Sequence, residues 1–583
     1  MMYFKGGCWG MKVVIGKQDF ASLREHDYFY IDKTGLIEEW WEAGDDVTLI
    51  TRPRRFGKTL NMSMLNCFFS NRYSDRGDLF DGLNIWNNEK YRQLQGTYPV
   101  IFLSFAGVKA DNLQDSKTQI KTQISELYEQ NRFLLESNLF SDNEKKIFND
   151  VNMYMDDVLS YSSLNTLCRY LERYYKKKVI MLLDEYDTPM QEAYVNGYWN
   201  EFTSFMRNIF NNTFKTNPYL ERAVMTGITR VSKQSIFSDL NNLSVITTTS
   251  EKYSTYFGFT ESEVFEALDL FDLSERKTDV KWWYDGFTFG SHTDIYNPWS
   301  IINFLSEKEL KPYWASTSAN SLVNKLIRTA SPDVKKMMEE LLSGGETVVS
   351  FDEQIIFSQL DTDENAIWSL LMASGYLKLN SVEHRGLLRK PWYHLSITNL
   401  ETLSMFSDMF SSWFSSGEAH YNQFVGALLK GNLKEMNIYM NDVALSTFSS
   451  FDTGTHPSGR SQPERFFHGF VLGLISDLRD IYEIKSNRES GYGRYDIMMI
   501  PVDIHDKTHD GIVLEFKVHD ADGEATLADT AQAALRQIAD KNYDAELISR
   551  GIPKSRIQHY GFAFEGKKVL IAKEKYLVKN NIT

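Results

Sequence analysis

Four short apolar runs, VTLI at 47–50, PVIFLSF at 99–105, KVIMLLD at 178–184 and RAVMTGI at 222–228, constrain this chain more than any other feature. None alternates polar with apolar residues, and a longer amphipathic stretch separates each from the next. Unalternated strands are buried on both faces, as a parallel sheet covered by helices requires. The first 230 residues therefore predict an α/β fold around a parallel sheet. A chain of 583 residues is too long for one core, so further units are expected. The stretch 261–450 shows helical periodicity, interrupted by Pro298 and Pro312, and predicts a helical lid and connector. Gly, Pro, Ser and Thr concentrate in DTGTHPSGRSQP near 452–463, a linker composition. Beyond it a helix, two strand-like runs (RYDIMMIPV and GIVLEFKV), another helix and a final strand pair predict a C-terminal α/β unit. The expected domains are 1–260, 261–450 and 455–583.

The first apolar run leads directly into RPRRFGKTLNMSML, which sets Gly57, Lys58 and Thr59 between a strand and a helix. That context suits phosphate: backbone N–H groups at the helix start cradle it, Lys58 reaches the β and γ phosphates, and Thr59 ligates Mg2+. The loop departs from GxxxxGK[ST] at Arg52, where glycine is usual. Arg54, Arg55 and Phe56 complete the candidate nucleotide loop, the two arginines reading either as phosphate clamps or as a surface basic pair. KVIMLLDEYD ends a second strand in Asp184, placed to hold magnesium, and Glu185, placed to polarise water. These acids read otherwise as carboxylates favoured at a helix start. In RAVMTGITR, Thr226 is a candidate γ-phosphate sensor, and Thr229 and Arg230 are polar groups at the same strand end. Arg230 would stabilise transition-state charge, or these residues simply cap the strand.

In the tail, Glu515 and Lys517 stand two apart on one strand and so share a face, while Phe516 points the other way. Asp496, on the partner strand, lies within reach of Glu515 across a hairpin. Two carboxylates and a lysine suit a phosphodiesterase: Asp496 and Glu515 bind magnesium, and Lys517 positions water. Glu464 is a further candidate for the metal shell, and Gln537 either contacts the same site or faces solvent. His468, one turn after Glu464, reads as a ligand or as a packed histidine. The alternative for the whole set is a solvated hairpin with scattered charges.

A net charge of −15 argues against indiscriminate coating of nucleic acid. From 460 onward, however, 18 Lys plus Arg face 19 Asp plus Glu, so the acid excess lies upstream of the tail. No apolar run approaches membrane-spanning length and residues 1–10 lack a secretory pattern, so a cytoplasmic protein without membrane attachment is expected. Cys8, Cys67 and Cys168 suggest neither disulfides nor a zinc site. Met11 opens a more natural start, MKVVIGKQDF.

FYIDKTGLI at 29–37, RPRRFGKTL at 52–60, LLDEYDTPM at 182–190, TGITRVSKQSIFSDLNNL at 226–243 and WYDGFTFG…IYNPWSI at 283–301 together resemble the AAA-ATPase-like family, over roughly residues 12–320. That family's own loop carries RPRRFGKT without the first glycine. The resemblance implies a P-loop NTPase sheet that binds ATP through Lys58, Thr59, Asp184 and Glu185. The tail resembles the PD-(D/E)XK nuclease superfamily, which implies a restriction-endonuclease-like α/β domain acting on DNA or RNA; such a domain is common at the C-terminus of the first family. The expected function is an ATP-regulated, Mg2+-dependent nuclease. The competing expectation is a nucleotide-dependent switch whose tail recognises nucleic acid or protein without cleaving. A role in defence or mobile elements and assembly into a homo-oligomer rest on analogy with similar proteins.

Overall fold

The computed structural model describes residues 12–229, 240–314, 330–342, 344–352, 363–414, 421–447, 481–490, 493–520, 523–565 and 568–573, with a few single positions between them. The chain divides into two compact units, Met1–Leu326 with Glu346–Leu403, and Ile327–Gly345 with Ser404–Thr583. No described helix is long and apolar enough to cross a membrane.

In the first unit the expected strands form as β1 (Val47–Thr51), β2 (Val100–Ser104), β3 (Val179–Asp184) and β4 (Leu220–Gly227). A fifth, β5 (Leu243–Ile246), completes a parallel sheet in the order β2-β3-β4-β1-β5. β1 and β3 are buried at every residue, which explains why their sequences do not alternate. β5 escapes sequence reading because it is an edge strand of four residues, three of them half-buried. This order puts β4 between β1 and β3, with Ile50 opposite Thr226 and Leu183 opposite Met225. The carboxyl ends of the three strands therefore open onto one crevice, where ligands bind in such sheets.

From that crevice run two helices, α1 (Lys58–Phe69) after β1 and α2 (Thr188–Val195) after β3. A three-stranded sheet follows: β6 (Phe259–Thr260), β7 (Phe287–Phe289) and β8 (His292–Tyr296), with helices α3 (Glu261–Leu270) and α4 (Pro298–Glu307). Thr260 and Glu263 form a reciprocal capping box on α3, and Asn297 caps α4. A further antiparallel sheet comprises β9 (Thr347–Val349), β10 (Leu377–Arg385) and β11 (Lys390–Ile397), with β11 in the centre. The stretch 261–450 is thus not the purely helical segment its periodicity suggests. Its strands are short, or, like β10, largely exposed, so they lack the apolar runs that mark strands elsewhere.

In the second unit, helices α5 (Tyr421–Lys430) and α6 (Leu433–Thr447) pack on one face of a five-stranded sheet. That sheet comprises β12 (Tyr482–Ser490), β13 (Gly493–Pro501), β14 (Gly511–Val518), β15 (Ile557–Glu565) and β16 (Lys568–Lys573), in sequential order. β12, β13 and β14 are antiparallel, whereas β14 and β15 run parallel, with helix α7 (Leu527–Asp540) lying between them in sequence. β12 is invisible to sequence reading because YEIKSNRES, on the sheet edge, carries charge in place of an apolar run. The side chains of α7 join Met498, Ile500 and Val513 in a core on the second sheet face. Gly561 allows this approach, since a Cβ there would stand 2.4 Å from the Ala531 carbonyl oxygen.

Candidate functional site

The loop between β1 and α1 is shaped by two left-handed residues, Arg55 (φ 67°) and Gly57 (φ 78°). Such turns point successive N–H groups into one concavity that favours anions, here at the start of the twelve-residue α1. The Lys58 ammonium folds back to donate to the carbonyls of Arg52 (2.9 Å) and Pro53 (2.8 Å). Burial lowers its pKa, opposed by the charges of Glu185, Asp184 and Asp187. Thr59 donates to Asp184 at 2.7 Å, and Thr226 donates to the other oxygen of the same carboxylate. Burial raises the Asp184 carboxyl while these two hydroxyls hold it down. Thr59, Asp184 and Thr226 thus meet because β4 separates β1 from β3. Glu185 follows in a left-handed conformation (φ 50°) and accepts from Thr188 at 3.1 Å; non-glycine residues take that conformation at a cost of about 1–3 kcal/mol. Glu185 and Lys58 line a cavity of about 480 Å3 with Arg54, Arg55 and Trp299.

Arg52 has no access to phosphate. It is fully buried, its guanidinium donates to the carbonyls of Thr51 and Thr247, and it lies 4.6 Å over the Phe289 ring. Burial pulls its pKa down to about 9. The side chain that replaces the usual glycine is therefore part of the core. Phe56 is likewise buried, its ring 4.7 Å from Phe287 and 5.4 Å from Phe289, so it anchors the loop. Arg54 donates to Gln191 at 3.3 Å, and the Arg55 guanidinium stacks 4.2 Å over Trp299. The phenylalanines of WYDGFTFG and the tryptophan of NPWS thus support the loop, a role their position in the sequence does not reveal. Lys33 does similar work, donating from within the core to both oxygens of Glu263 at 2.7 Å and to the Thr255 carbonyl.

An acid of this site also escapes sequence reading. Asp187 is buried and accepts from the Thr229 hydroxyl (2.7 Å) and from the N–H groups of Thr229 (2.8 Å) and Ile228 (3.0 Å). The third acid of LLDEYD thereby fixes the chain leaving β4. Its signal was present in the sequence, but Asp184 and Glu185 had already absorbed it. Arg230, Glu464 and His468 lie outside the described residues.

In the second unit the Asp496 carboxylate accepts the Phe516 N–H at 2.8 Å, beside the peptide that links Phe516 to Glu515. Gln537, projecting from α7, donates to Glu515 and stands 3.3 Å from the Tyr543 hydroxyl. Burial chiefly raises the Tyr543 pKa; the Gln537 hydrogen bond opposes the shift and the charges of Glu515 and Asp496 add to it. Lys517 is half-buried and shares the Glu515 face of β14 by strand alternation. Tyr543, six residues after Gln537, is the member that the sequence did not disclose. The oxygen-rich pair Asp496 and Glu515 fits a hard divalent cation, and Lys517 supplies positive charge beside it.

Residues 14–237 match the family described as predicted AAA-ATPase, and residues 462–574 match the PD-(D/E)XK nuclease superfamily. The chain is similar to an uncharacterized protein in the vnfD 5′ region of Azotobacter chroococcum mcd 1, with 25% identity over 552 residues covering 93% of this chain and 95% of that protein. A solved Signal Transduction ATPase with Numerous Domains protein from Pyrococcus horikoshii, which has a tetratricopeptide repeat sensor, aligns at 11% identity and a TM-score of 0.24. The alignment covers 78% of this chain and 54% of that one, so this chain spans about half of its length, and a likeness that slight carries no argument.

Proposed function

From a chain that carries an AAA-ATPase-like domain and a PD-(D/E)XK nuclease superfamily domain, we propose an ATP-regulated nuclease that cleaves DNA or RNA with Mg2+. The observation that carries this reading is the hydrogen bonding around Glu515: Asp496 accepts from the peptide N–H that follows Glu515, and Gln537 joins Glu515 to Tyr543, with Lys517 on the Glu515 face of β14. Asp496 and Glu515 would hold the magnesium ion, which supplies Lewis acidity and a nucleophilic water. Lys517 offsets charge that develops on the phosphate, and Gln537 would hold the Glu515 carboxylate in place. In the first unit, Lys58 would exchange the carbonyls of Arg52 and Pro53 for a triphosphate, with Thr59 and Asp184 as the magnesium side and Glu185 oriented toward water. Thr226 would relay the state of that site through Asp184. Arg54 and Arg55 line the same cavity, and Arg230 and Glu464 keep their sequence-based roles. The domain limits of 1–260, 261–450 and 455–583 belong to this proposal, as do a cytoplasmic location and a homo-oligomer.

The test is cleavage of single-stranded and duplex DNA and RNA by the full chain, with magnesium and with or without ATP. Wild type, Asp496→Ala and Lys58→Ala are compared. Cleavage that survives Asp496→Ala removes the nuclease assignment; cleavage by Lys58→Ala identical to wild type in every condition removes the coupling to ATP. If neither nucleic acid is cleaved but ATP alters binding to it, the switch reading takes its place.

A further inference from the structure

Strands β10 and β11 continue past the end of their pairing with β9. Tyr393 pairs with Val349 on one side and Val382 on the other, and three more residue pairs follow before the turn. At about 3.3 Å per residue the tip therefore projects roughly 10 Å beyond its support. The base is fixed by Tyr393, whose ring stacks 4.4 Å from Phe351, and by buried Leu395. At the tip the Arg389 N–H donates to the Gly386 carbonyl at 3.1 Å, closing a four-residue turn whose two central positions are Leu387 and Leu388.

Those leucines are 100% and 81% exposed. A turn of this kind asks for polar residues or for glycine and proline at its centre, so nothing in the backbone calls for leucine there. Around them, residues 384–390 read HRGLLRK, three cations and no acid, in a chain of net charge −15. On one face of the hairpin the Arg385 guanidinium, ion-paired with Glu383, lies 4.4 Å over the half-exposed Trp392, with Lys390 directly across from Arg385. An apolar wedge, flanked by cations and backed by an aromatic ring, combines the elements that engage a polyanion carrying flat apolar bases.

We propose that the tip of the β10–β11 hairpin is a nucleic-acid contact, with Arg389 and Lys390 meeting phosphates while Leu387 and Leu388 press against bases at a junction or frayed end. The inference deepens the nuclease reading by giving the first unit a direct hold on the substrate, and it rests on that reading for its choice of polyanion.

The experiment measures equilibrium binding, in EDTA so that no cleavage intervenes, of the full chain to fluorescent single-stranded, duplex and forked DNA and RNA over a salt series. Arg389→Gln with Lys390→Gln is expected to weaken binding about tenfold and to reduce the slope of log affinity against log salt by about 2. Leu387→Ser with Leu388→Ser is expected to weaken binding to the forked substrate several-fold while leaving the salt slope unchanged. Both pairs are exposed, so thermal unfolding should match wild type and keep the comparison fair. Wild-type affinity and slope in both variants overturn the inference, even where Asp496→Ala shows that cleavage is real. Weakened binding by the variants of a chain that never cleaves would support the hairpin and remove the nuclease instead. Binding to phosphatidylglycerol vesicles that depends on the leucines, with no change toward nucleic acid, also overturns it.

Discussion

The Thr59 hydroxyl donates to the Asp184 carboxylate at 2.7 Å, joining the first turn of α1 to the end of β3 across the intervening strand β4. Thr226, on β4 itself, donates to the same carboxylate. One helix and two strands thus meet at a single acid.

Asp184→Asn keeps the shape of this junction and removes its charge. Magnesium-dependent ATP turnover is expected to fall by about 100-fold or more, with thermal stability near that of wild type, because loss of a charge partner at a phosphoryl-transfer site acts mainly on the reaction. Turnover within a few-fold of wild type in a phosphate-release assay would exclude Asp184 from the site.

Lys33 and Glu263 form a nearly buried ion pair, 6% and 25% exposed at their side chains. Breaking one side leaves an uncompensated buried charge, which costs about 3–5 kcal/mol. Glu263→Gln should therefore lower the unfolding midpoint clearly, and Lys33→Met combined with it should recover part of the loss. Equal midpoints for the single variant and wild type in denaturant titration would place the pair's contribution near zero.

Gly561 has no room for a side chain, since the atom nearest its absent Cβ is a backbone carbonyl of α7 at 2.4 Å. Gly561→Ala is expected to cost about 1–3 kcal/mol by overpacking. Because Gly561 pairs in register with Glu515 and α7 carries Gln537, cleavage should fall further than the loss of folded protein explains. A variant that melts lower yet cleaves at the wild-type rate would show that α7 can shift without disturbing Glu515.

Asp285 sits in an acidic cluster with Glu261 and Asp294 that Lys281 offsets only in part. Burial first, then Asp294, raises its carboxyl to about 7. A raised acid is still protonated in the folded chain after the unfolded chain has ionised, so its contribution is whole below about pH 4 and is lost as pH climbs to about 7. Asp285→Asn, which cannot ionise, should melt higher relative to wild type at about pH 8 than at about pH 5, by on the order of a few kcal/mol in stability. An equal offset at both pH values would assign the burial cost to something other than this titration.

The sequence disclosed the strands that carry unbroken apolar runs. β1, β3 and β14 are buried along most of their length, and their apolar runs were plain. β5 and β12 were hidden because edge strands are short or charged. At the nucleotide loop, Lys58, Thr59 and Asp184 were legible from their spacing, but Asp187 and Trp299 were not, since their roles arise from contacts between segments about 40 to 245 residues apart. Gln537 looked as much like a surface amide as a site residue, because a single polar position on a helix carries no direction until the sheet beneath it is known.

The seating of Phe56 and Arg52 against Phe287 and Phe289 has a practical corollary for anyone trimming this gene. A fragment ending near residue 237, where the family match stops, would retain Lys58, Thr59 and Asp184 and yet leave an aromatic ring and a guanidinium without the wall they lean on. Such a fragment should clump, or bind nucleotide poorly, for reasons unrelated to its chemistry; extending it through α4 is the remedy.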